Sequence, residues 1–387
     1  MTPAKGYTEM KDSGADWIGK IPATWDISKI GTLYTQRNEK VSDKDYPPLS
    51  VTMKGILPQL ATAAKTDDGD NRKLVRVGDF AINSRSDRRG SCGISPYDGS
   101  VSLINTILIP RKKMHPGYYD WLFHTTLFAD EFYKWGHGIV DDLWTTRWQE
   151  MKRILVPVPP YETQSAIAAY LDTQCAKIDE IIAQAKASIE AYKQWKASII
   201  YEAVTKGLDP NVEMKDSGIP WIGRMPANWT APALKHLCIM QAGKNLISEQ
   251  ISTSGQYPVY GGNGQRGYYS DYNANGNFLL VGRQGALCGN VHCVSGKFWA
   301  TEHAVVTTPS KITNIRYLYY LLIAMDLNQY ASNSAAQPGL SVGNILNVKT
   351  LLPPIGEQVR ISKFLDNCCP RIDEVITEKQ GRCAELI

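Results

Sequence analysis

The chain has 387 residues, too many for one ordinary hydrophobic core, and this length favours two or three domains. Hydrophobic residues make up 43% of the chain and charged residues 21%, a composition that excludes a disordered or fibrous protein. Forty-two Lys and Arg against 38 Asp and Glu give a net charge of +4, which permits a nucleic-acid partner without indicating one.

The sequence carries no signal for export or membrane insertion. Its most apolar run, Tyr317–Met325, is about half of the ~20 residues that a membrane-spanning helix needs. The first 14 residues, MTPAKGYTEMKDSG, contain no apolar segment typical of a secretory signal. Eight cysteines without a CxxC pair favour reduced thiols. We therefore expect a cytoplasmic protein.

Two segments of the chain occur twice. Residues 9–25, EMKDSGADWIGKIPATW, recur at 213–229 as EMKDSGIPWIGRMPANW, with 12 of 17 positions identical. Residues 159–182 and 353–376 share Pro-Pro, a glutamine, Leu-Asp and Ile-Asp-Glu. The blocks between them share no comparable identity. This pattern indicates a fixed frame that holds two different modules, although a structural duplication that has drifted would leave the same pattern.

The first variable block is predicted to form short strands followed by a helix. The runs 74–84, 91–95 and 101–109 are typical of strands, and 117–135 of a helix. A polar loop at 83–90 is rich in groups that can contact phosphates or base edges; a solvated loop with internal Arg–Asp pairs is the alternative. The candidate DNA-contacting residues of this block are Arg72, Lys73, Asn83, Arg85, Arg88 and Arg89.

Residues 162–206 have the periodicity of one long helix with an apolar face close to a heptad seam. Pro159 and Pro160 precede it, Gly207 follows it, and a rise of ~1.5 Å per residue gives about 65–70 Å. We expect an antiparallel pair with its shorter copy, which begins near Glu357 and whose apolar stripe includes Phe364. The predicted pairing residues are Ile167, Leu171, Ile178, Ile182, Ile189, Ile361, Leu365 and Ile372.

The second variable block contains a glycine-rich polar segment, residues 260–269, followed by strand-like runs near 278–283 and 304–308. Glycine allows close approach of a ligand to the backbone, and Asn, Gln and Arg can read base edges. A plain glycine hairpin is the alternative. The candidate DNA-contacting residues here are Lys244, Tyr260, Asn263, Gln265, Arg266, Arg283 and Gln284.

Motifs that would indicate catalysis fail on inspection. Gly262–Gly267 matches a dinucleotide fingerprint by letter, but poor helix formers follow it. Val158–Tyr161 is close to an adenine-methyltransferase motif, but valine replaces its polar first residue, so we interpret the segment as a helix start. Four further side chains lack the spacing of a structural zinc site: Cys288, His292, Cys293 and His303. We expect no catalytic site, no cofactor and no metal.

The paired repeats resemble the specificity (S) subunits of type I restriction-modification systems. The twin KDSGxxWIGxxPxxW segments and the twin PPxxEQ or PPxETQ segments with LD and IDE carry this resemblance, which covers essentially the whole chain. Glu162-Thr163-Gln164 stands where the second copy has Gly356-Glu357-Gln358, a mild departure. The resemblance implies an α+β fold with an internal pseudo-twofold repeat: two mixed α/β target-recognition domains separated by long antiparallel coiled-coil helices.

The resemblance also implies a function. Each domain would read one half of a bipartite, asymmetric site in double-stranded DNA, and the helices would dock two modification (methyltransferase) subunits, joined by restriction (motor-nuclease) subunits. The chain itself would not be an enzyme. A single-chain modification enzyme and a scaffold or RNA-binding repeat protein are the alternatives. The predicted segments are 1–25 (repeat), 26–158 (first recognition domain), 159–206 (long helix), 207–229 (repeat), 230–352 (second recognition domain) and 353–387 (short helix).

Overall fold

The computed structural model describes residues 9–59, 69–85, 88–138, 144–285, 288–332 and 339–386. The chain divides into two compact units, Met1–Asp179 and Glu180–Ile387. The division falls inside the longest helix, Tyr161–Lys206, which the heptad-like pattern predicts almost to the residue. Within the described residues, no helix combines the length and the hydropathy needed to cross a bilayer.

The first unit is built from short strands and short helices that precede the long helix. Its elements are β1 (Met10–Asp12), β2 (Lys20–Pro22), β3 (Asp26–Lys29), α1 (Ile30–Leu33), β4 (Tyr34–Arg37), β5 (Lys40–Val41), β6 (Leu49–Thr52), β7 (Gly55–Pro58), β8 (Arg72–Val75), β9 (Phe80–Asn83), β10 (Cys92–Ile94), β11 (Gly99–Val101), β12 (Asn105–Pro110), α2 (Pro116–His124), α3 (Thr126–Lys134), α4 (Trp148–Met151), β13 (Leu155–Val158) and the start of α5 (Tyr161–Lys206).

A four-stranded sheet in the order β10-β9-β12-β4 carries the aromatic core of the first unit. The rings of Phe80 and Phe123, and of Phe123 and Phe128, have centroids 4.6 Å apart. The single helix predicted over 117–135 is wrong, because the chain breaks at Thr125 into α2 and α3. The Thr125 hydroxyl accepts a hydrogen bond from the Phe128 N–H at 3.2 Å, so it caps the second helix.

The second unit contains longer strands. Its elements after α5 are β14 (Met214–Asp216), β15 (Arg224–Pro226), β16 (Cys238–Ala242), β17 (Tyr257–Gly261), β18 (Gly264–Tyr269), β19 (Ala274–Gly282), β20 (Val291–Ala300), β21 (Ala304–Pro309), α6 (Ile315–Ala324), β22 (Ala331–Ser332), β23 (Gly339–Leu340), α7 (Val342–Leu346) and α8 (Ile355–Glu385).

A six-stranded sheet in the order β16-β21-β19-β20-β17-β18 forms the body of the second unit. Its core includes α6, of which Tyr317, Leu318 and Leu321 are fully buried. Strands β17 and β18 form an antiparallel hairpin, so Gly262–Gly267 opens a strand rather than a helix. The rejection of a dinucleotide fingerprint at this motif is confirmed.

The repeated KDSG segments adopt the same hairpin in both units, β1 with β2 and β14 with β15. Asp12 Oδ1 accepts from the Gly14 N–H at 2.8 Å, and Asp216 Oδ1 accepts from the Gly218 N–H at 2.9 Å. Both glycines have positive φ, +72° and +66°, which disfavours other residues at these positions. The repeated Asp-Ser-Gly letters therefore encode one specific turn.

A buried glutamine closes the start of each long helix. Gln164 Nε2 donates to the Pro159 carbonyl at 2.8 Å, and its Oε1 accepts from the backbone N–H just before α2. Gln358 makes the same two bonds, to the Pro353 carbonyl at 2.9 Å and from the N–H just before α6. The interpretation of the Pro-Pro segments as helix starts is therefore confirmed.

The aspartate of the repeated Leu-Asp pair, about two helical turns after the glutamine, joins the same two helices in each unit. Asp172 accepts from Trp121 Nε1 at 2.8 Å, and Asp366 accepts from the Tyr320 hydroxyl at 2.7 Å and from Arg316. Burial raises the pKa of the Asp366 carboxyl, but the hydrogen bonds from Arg316 and Tyr320 outweigh it and hold that pKa below its usual value. The aspartates of the repeat thus have a structural role.

The two variable blocks share a core that their sequences conceal. In the first unit Ala81 of β9 pairs with Ile107 of β12, and in the second Leu280 of β19 pairs with Val306 of β21. Each residue lies 199 positions before its counterpart (81 to 280, 107 to 306). The offset is 204 for the hairpin repeats and 194 for the helical repeats, so the second copy loses residues before and after this core.

Within the second unit, α5 and α8 run antiparallel. Lys196 Nζ lies 2.6 Å from Asp373 Oδ2, and Lys379 Nζ lies 5.8 Å from the ring centroid of Tyr192. The contact position on α8 falls from 379 to 373 as the position on α5 rises from 192 to 196. The predicted antiparallel pairing is therefore confirmed.

The predicted pairing residues divide into three groups. Ile189 and Ile372 pack together in a cluster that also contains Ile376. Ile361 and Leu365 are fully buried in the core of the second unit, which also includes the end of α5. The third group is Ile167, which packs on the core of the first unit, and the half-buried Leu171, Ile178 and Ile182.

These contacts correct two predictions made from the sequence, those for Ile167 and Phe364. Ile167 and Ile361 occupy the same repeat position, and each anchors the start of its long helix to the core of its own unit. We therefore assign Ile167 to the first-unit core. Phe364 is 44% exposed, so its prediction as part of the buried stripe is wrong.

Replacing Gln358 with Ala should lower the free energy of unfolding by about 2–3 kcal/mol, because buried backbone groups at both ends of its amide lose their partner. Thermal unfolding of the full chain measures this. Gln184→Ala, at an exposed position of α5, is the control and should change little. Equal effects of the two substitutions would show that the buried amide is not structurally important.

Adjacent positions on α8 should differ sharply in their effect. Ile372→Ala empties a buried apolar site and should cost about 2–4 kcal/mol, whereas Asp373→Asn removes a largely exposed ion pair and should cost less than about 1 kcal/mol. Urea unfolding of both variants compares them. A larger loss for Asp373→Asn would mean that charge, not apolar packing, stabilises the helix pair.

Candidate nucleic-acid interface

Three loops of the second unit meet at one edge of its sheet. They are the β17–β18 turn, the loop that follows β19 and the β20–β21 turn. The Arg283 N–H donates to the His303 carbonyl at 2.9 Å. A Cβ placed on Gly262 would lie 3.0 Å from the same carbonyl oxygen, so the absence of a side chain lets the β17–β18 turn approach.

Residues of these loops line an open cavity of about 380 Å³, which we call the polar recess. It is lined by Gly262, Asn263, Gly264, Gln265, Arg266, Gln284 and His303. Four of the predicted DNA-contacting residues therefore lie together. A neighbouring cavity of about 510 Å³ is lined by Ala242, Arg283, Gln284, Gly339, Leu340, Ser341 and Val342. Gln284 lines both.

The polar side chains of the recess are weakly engaged within the protein. Asn263 Oδ1 accepts from Asn290 Nδ2 at 3.4 Å, and Gln265 Nε2 donates to the Gly267 carbonyl at 3.5 Å, both long contacts. Exchanging such contacts for bonds to a ligand costs little. Amide groups of this kind pair with the N6 and N7 atoms of adenine.

The position of Arg266 depends on a glycine. A Cβ on Gly261 would lie 2.6 Å from Arg266 Cδ, so the aliphatic stem of the arginine lies across the bare backbone. The guanidinium stays exposed. A fork of donors held in this way suits bidentate contact with guanine or with a phosphate.

Three predicted residues of the second unit lie outside the lining of the recess: Arg283, which lines the neighbouring cavity, Tyr260 and Lys244. Tyr260 is half-buried and packs edge-on against Phe298, with ring centroids 5.6 Å apart, so we assign it to the core. Lys244 is exposed, and its backbone carbonyl accepts from Trp299 Nε1 at 3.2 Å. Its side chain stays available for a phosphate.

His303 is a lining residue that the sequence interpretation missed. The sequence considers it only as a zinc ligand, and the structure places it in the recess with its Nε2 3.1 Å from Glu302 Oε1. Among the described residues, no group of three or more His, Cys, Asp or Glu side chains could hold a metal ion. The β20–β21 turn lies beside the recess because β20 and β21 both pair with β19. No short sequence motif predicts this pairing.

The first unit builds its corresponding edge with the same backbone contacts. The Ser84 N–H donates to the Ile104 carbonyl at 3.4 Å, as Arg283 does to His303. The Thr146 N–H donates to the Ser84 carbonyl at 3.0 Å, as the N–H of Leu340 does to Arg283 at 2.9 Å. The polar loop at 83–90 is therefore the counterpart of the loop at Gln284, and its Ser86 and Asp87 lie outside the described residues.

The arginines of this loop are placed at its surface. Arg88 and Arg89 are exposed and Arg85 is half-buried. Arg89 pairs with Asp130 and lies 5.5 Å from the ring centroid of Tyr133, so the internal Arg–Asp pairing considered as an alternative occurs for this residue. Asn83 is buried, and its Oδ1 accepts from the Arg85 N–H at 3.0 Å.

Arg72 and Lys73 form hydrogen bonds within the first unit. Arg72 is 4% exposed and its Nε donates to Ser100 Oγ at 2.9 Å, while Lys73 Nζ donates to the Asn105 carbonyl at 2.6 Å. Burial lowers the pKa of both side chains. We therefore leave both residues out of the DNA-contacting set.

Residues 226–380, which contain the polar recess, match the family described as "Type I restriction modification DNA specificity domain". The chain is therefore similar to type I specificity domains over these residues. It is 48% identical over 131 residues to the EcoprrI specificity subunit of Escherichia coli, a match that covers 33% of this chain and 32% of that protein. The chain thus matches about a third of the length of this curated relative.

Solved structures of type I systems share the fold of this chain. A chain from a study of complex assembly and conformational transition of the type I R-M system has a TM-score of 0.71 at 15% identity, covering 95% of both chains. The HsdS subunit from Thermoanaerobacter tengcongensis gives 0.50 at 15% identity, covering 95% of this chain and 94% of that one. The predicted α+β class, with two mixed α/β domains and long antiparallel helices, is confirmed, as is the resemblance to specificity subunits.

Arg72→Ala should lower the free energy of unfolding by about 2–3 kcal/mol, because hydrogen bonds from a buried charged group to Ser100 are lost. Arg88→Ala, which removes an exposed arginine of the same unit, is the control and should change stability by less than about 0.5 kcal/mol. Thermal unfolding followed by circular dichroism compares the two. A stable Arg72→Ala protein would return this residue to the list of surface candidates.

Proposed function

We propose that this chain is the DNA sequence-recognition subunit of a type I restriction-modification complex, and that each unit reads one half of a bipartite, asymmetric site. The observation that carries the proposal is the shared core, which presents different side chains at the same loop positions. Gln284 and His303 of the second unit stand where the first unit has Arg85 and Ile104. Different side chains on equivalent backbones would select different half-sites.

The chemistry of each edge supports a duplex as the ligand. Exposed arginines and Lys244 would neutralise phosphates and supply affinity that depends on salt. Asn263, Gln265 and Gln284 would distinguish base edges, each good bidentate pair contributing about 1–3 kcal/mol of discrimination. The polar recess is open and lined by polar residues, in contrast to the enclosed apolar pockets that bind small molecules.

The proposal assigns the catalytic steps to other subunits. Two modification (methyltransferase) subunits would dock on the long helices, and restriction (motor-nuclease) subunits would join them. In support, Ile181 and Trp195 are 52% and 54% exposed, and their spacing of two heptads places them on one face of α5. The cytoplasmic location stays a prediction.

Single-molecule methylome mapping tests this function in cells that express the chain with its modification subunits. The expected result is methylation at one motif made of two different short sequences separated by a fixed number of unspecified bases. Methylation at a continuous motif, or none that depends on this chain, would contradict the proposal.

Arg266→Ala should weaken binding of the complex to its cognate duplex by about 10- to 100-fold, because a bidentate contact at the recess is lost. Titrations at several salt concentrations separate the two roles: a lost phosphate contact reduces the salt slope by about one, and a lost base contact reduces specificity. Lys297→Ala, which removes an exposed cation of the same unit, is the control. Unchanged affinity in Arg266→Ala would exclude the recess from the interface.

Replacing Arg88 and Arg89 together with Ala should weaken cognate binding and lower its salt slope, because phosphate contacts of the first unit are lost. The matched control replaces Lys112 and Lys113, an exposed basic pair just beyond the other end of β12. Fluorescence anisotropy with labelled duplex compares the two double variants. An equal loss in both would indicate a general effect of charge.

A further inference from the structure

Resting on the function proposed above, we propose that Leu103 and Ile104 contact the C5 methyl group of a thymine in the half-site read by the first unit. Both side chains are 39% exposed on the turn between β11 and β12. In the second unit, the counterpart of Ile104 is His303, which lines the polar recess. The same backbone position is therefore polar in one unit and apolar in the other.

The turn that carries these two residues is firmly held. Val101 before it and Asn105 after it are buried. The backbone N–H and the side-chain Nδ2 of Asn105 both donate to the Ser102 carbonyl, at 3.1 and 3.0 Å. The exposure of the two apolar side chains thus follows from a fixed backbone, and a fixed contact surface loses little entropy on binding.

The surroundings of the turn favour DNA as the occupant. The Ile104 carbonyl accepts from the Ser84 N–H, and the loop that begins there carries Arg85, Arg88 and Arg89. A surface of this charge attracts a polyanion rather than an apolar protein partner. Apolar side chains beside phosphate-binding arginines would face the base edges of the same duplex.

Only one base edge in the major groove offers an apolar group, the C5 methyl of thymine. Leucine and isoleucine in contact with it would favour a T·A pair over a C·G pair, whose exposed amino group they cannot satisfy. A wedge of apolar side chains inserted between base pairs from the minor groove is a different use of such residues. A wedge would be insensitive to the methyl group, so the two uses can be separated.

The test uses the full complex and duplexes in which each thymine of the cognate site is replaced, one at a time, with deoxyuridine, which lacks only the methyl group. At one position of one half-site, we expect binding to weaken about fourfold, the effect of one buried methyl. The variant with Leu103→Ala and Ile104→Ala should bind the thymine and uracil duplexes equally at that position.

The control variant is Val77→Ala, an exposed apolar residue at the other end of β9, which should keep the full penalty for uracil. Three results would overturn the inference while leaving the recognition function intact: no T·A pair in either half-site, no position sensitive to uracil, or a penalty that persists in the double variant. Absence of any sequence-specific binding would instead overturn the recognition function, and this inference with it.

Discussion

The closure of each unit by backbone pairing is the constraint on which the rest of the structure depends. The segment just after each hairpin repeat pairs with the segment just before each long helix: the Ile30 N–H donates to the Ile154 carbonyl and the Leu234 N–H to the Val348 carbonyl, both at 2.9 Å. The variable block therefore leaves and returns to its frame at the same point in both copies. Its loops can change in length and chemistry without moving the hairpin or the helix.

In the proposed function, this closure would allow one duplicated chain to serve two different specificities. Strands β9 and β12 are paired by backbone hydrogen bonds, as are β19 and β21. This pairing is compatible with almost any apolar side chain on the strands. Their ends present loops whose side chains have little to do with stability. Arg266 lies over Gly261 and is exposed, whereas Arg72 is buried and structural, so similar charges serve different purposes on the two kinds of position.

The sequence was sufficient to predict the frame, because the frame is encoded by local signals. The Asp-Ser-Gly turn, the proline-bounded start of α5 and its heptad pattern each act over a few residues, as does the segment that carries Asn263, Gln265 and Arg266. The shared core was not predictable, since Ala81 and Leu280 have equivalent roles without similar side chains.

Long-range partners account for the assignments that changed. Arg72 donates a hydrogen bond to Ser100, which lies 28 residues further along the chain. Nothing in the sequence near either residue indicates this partner. His303 reaches the polar recess only because β21 pairs beside β19. The break at Thr125 interrupts an apolar pattern that remains periodic on both sides of it.

In the proposed function, each unit selects its own half-site with loops that the shared core presents. The most direct measurement is the methylome of cells expressing a chain in which residues 230–352 are replaced with a second copy of residues 26–158. We expect methylation at a bipartite site with two identical halves in inverted orientation, because both units would then present the same loops. Methylation that still occurs at the original asymmetric site would contradict it.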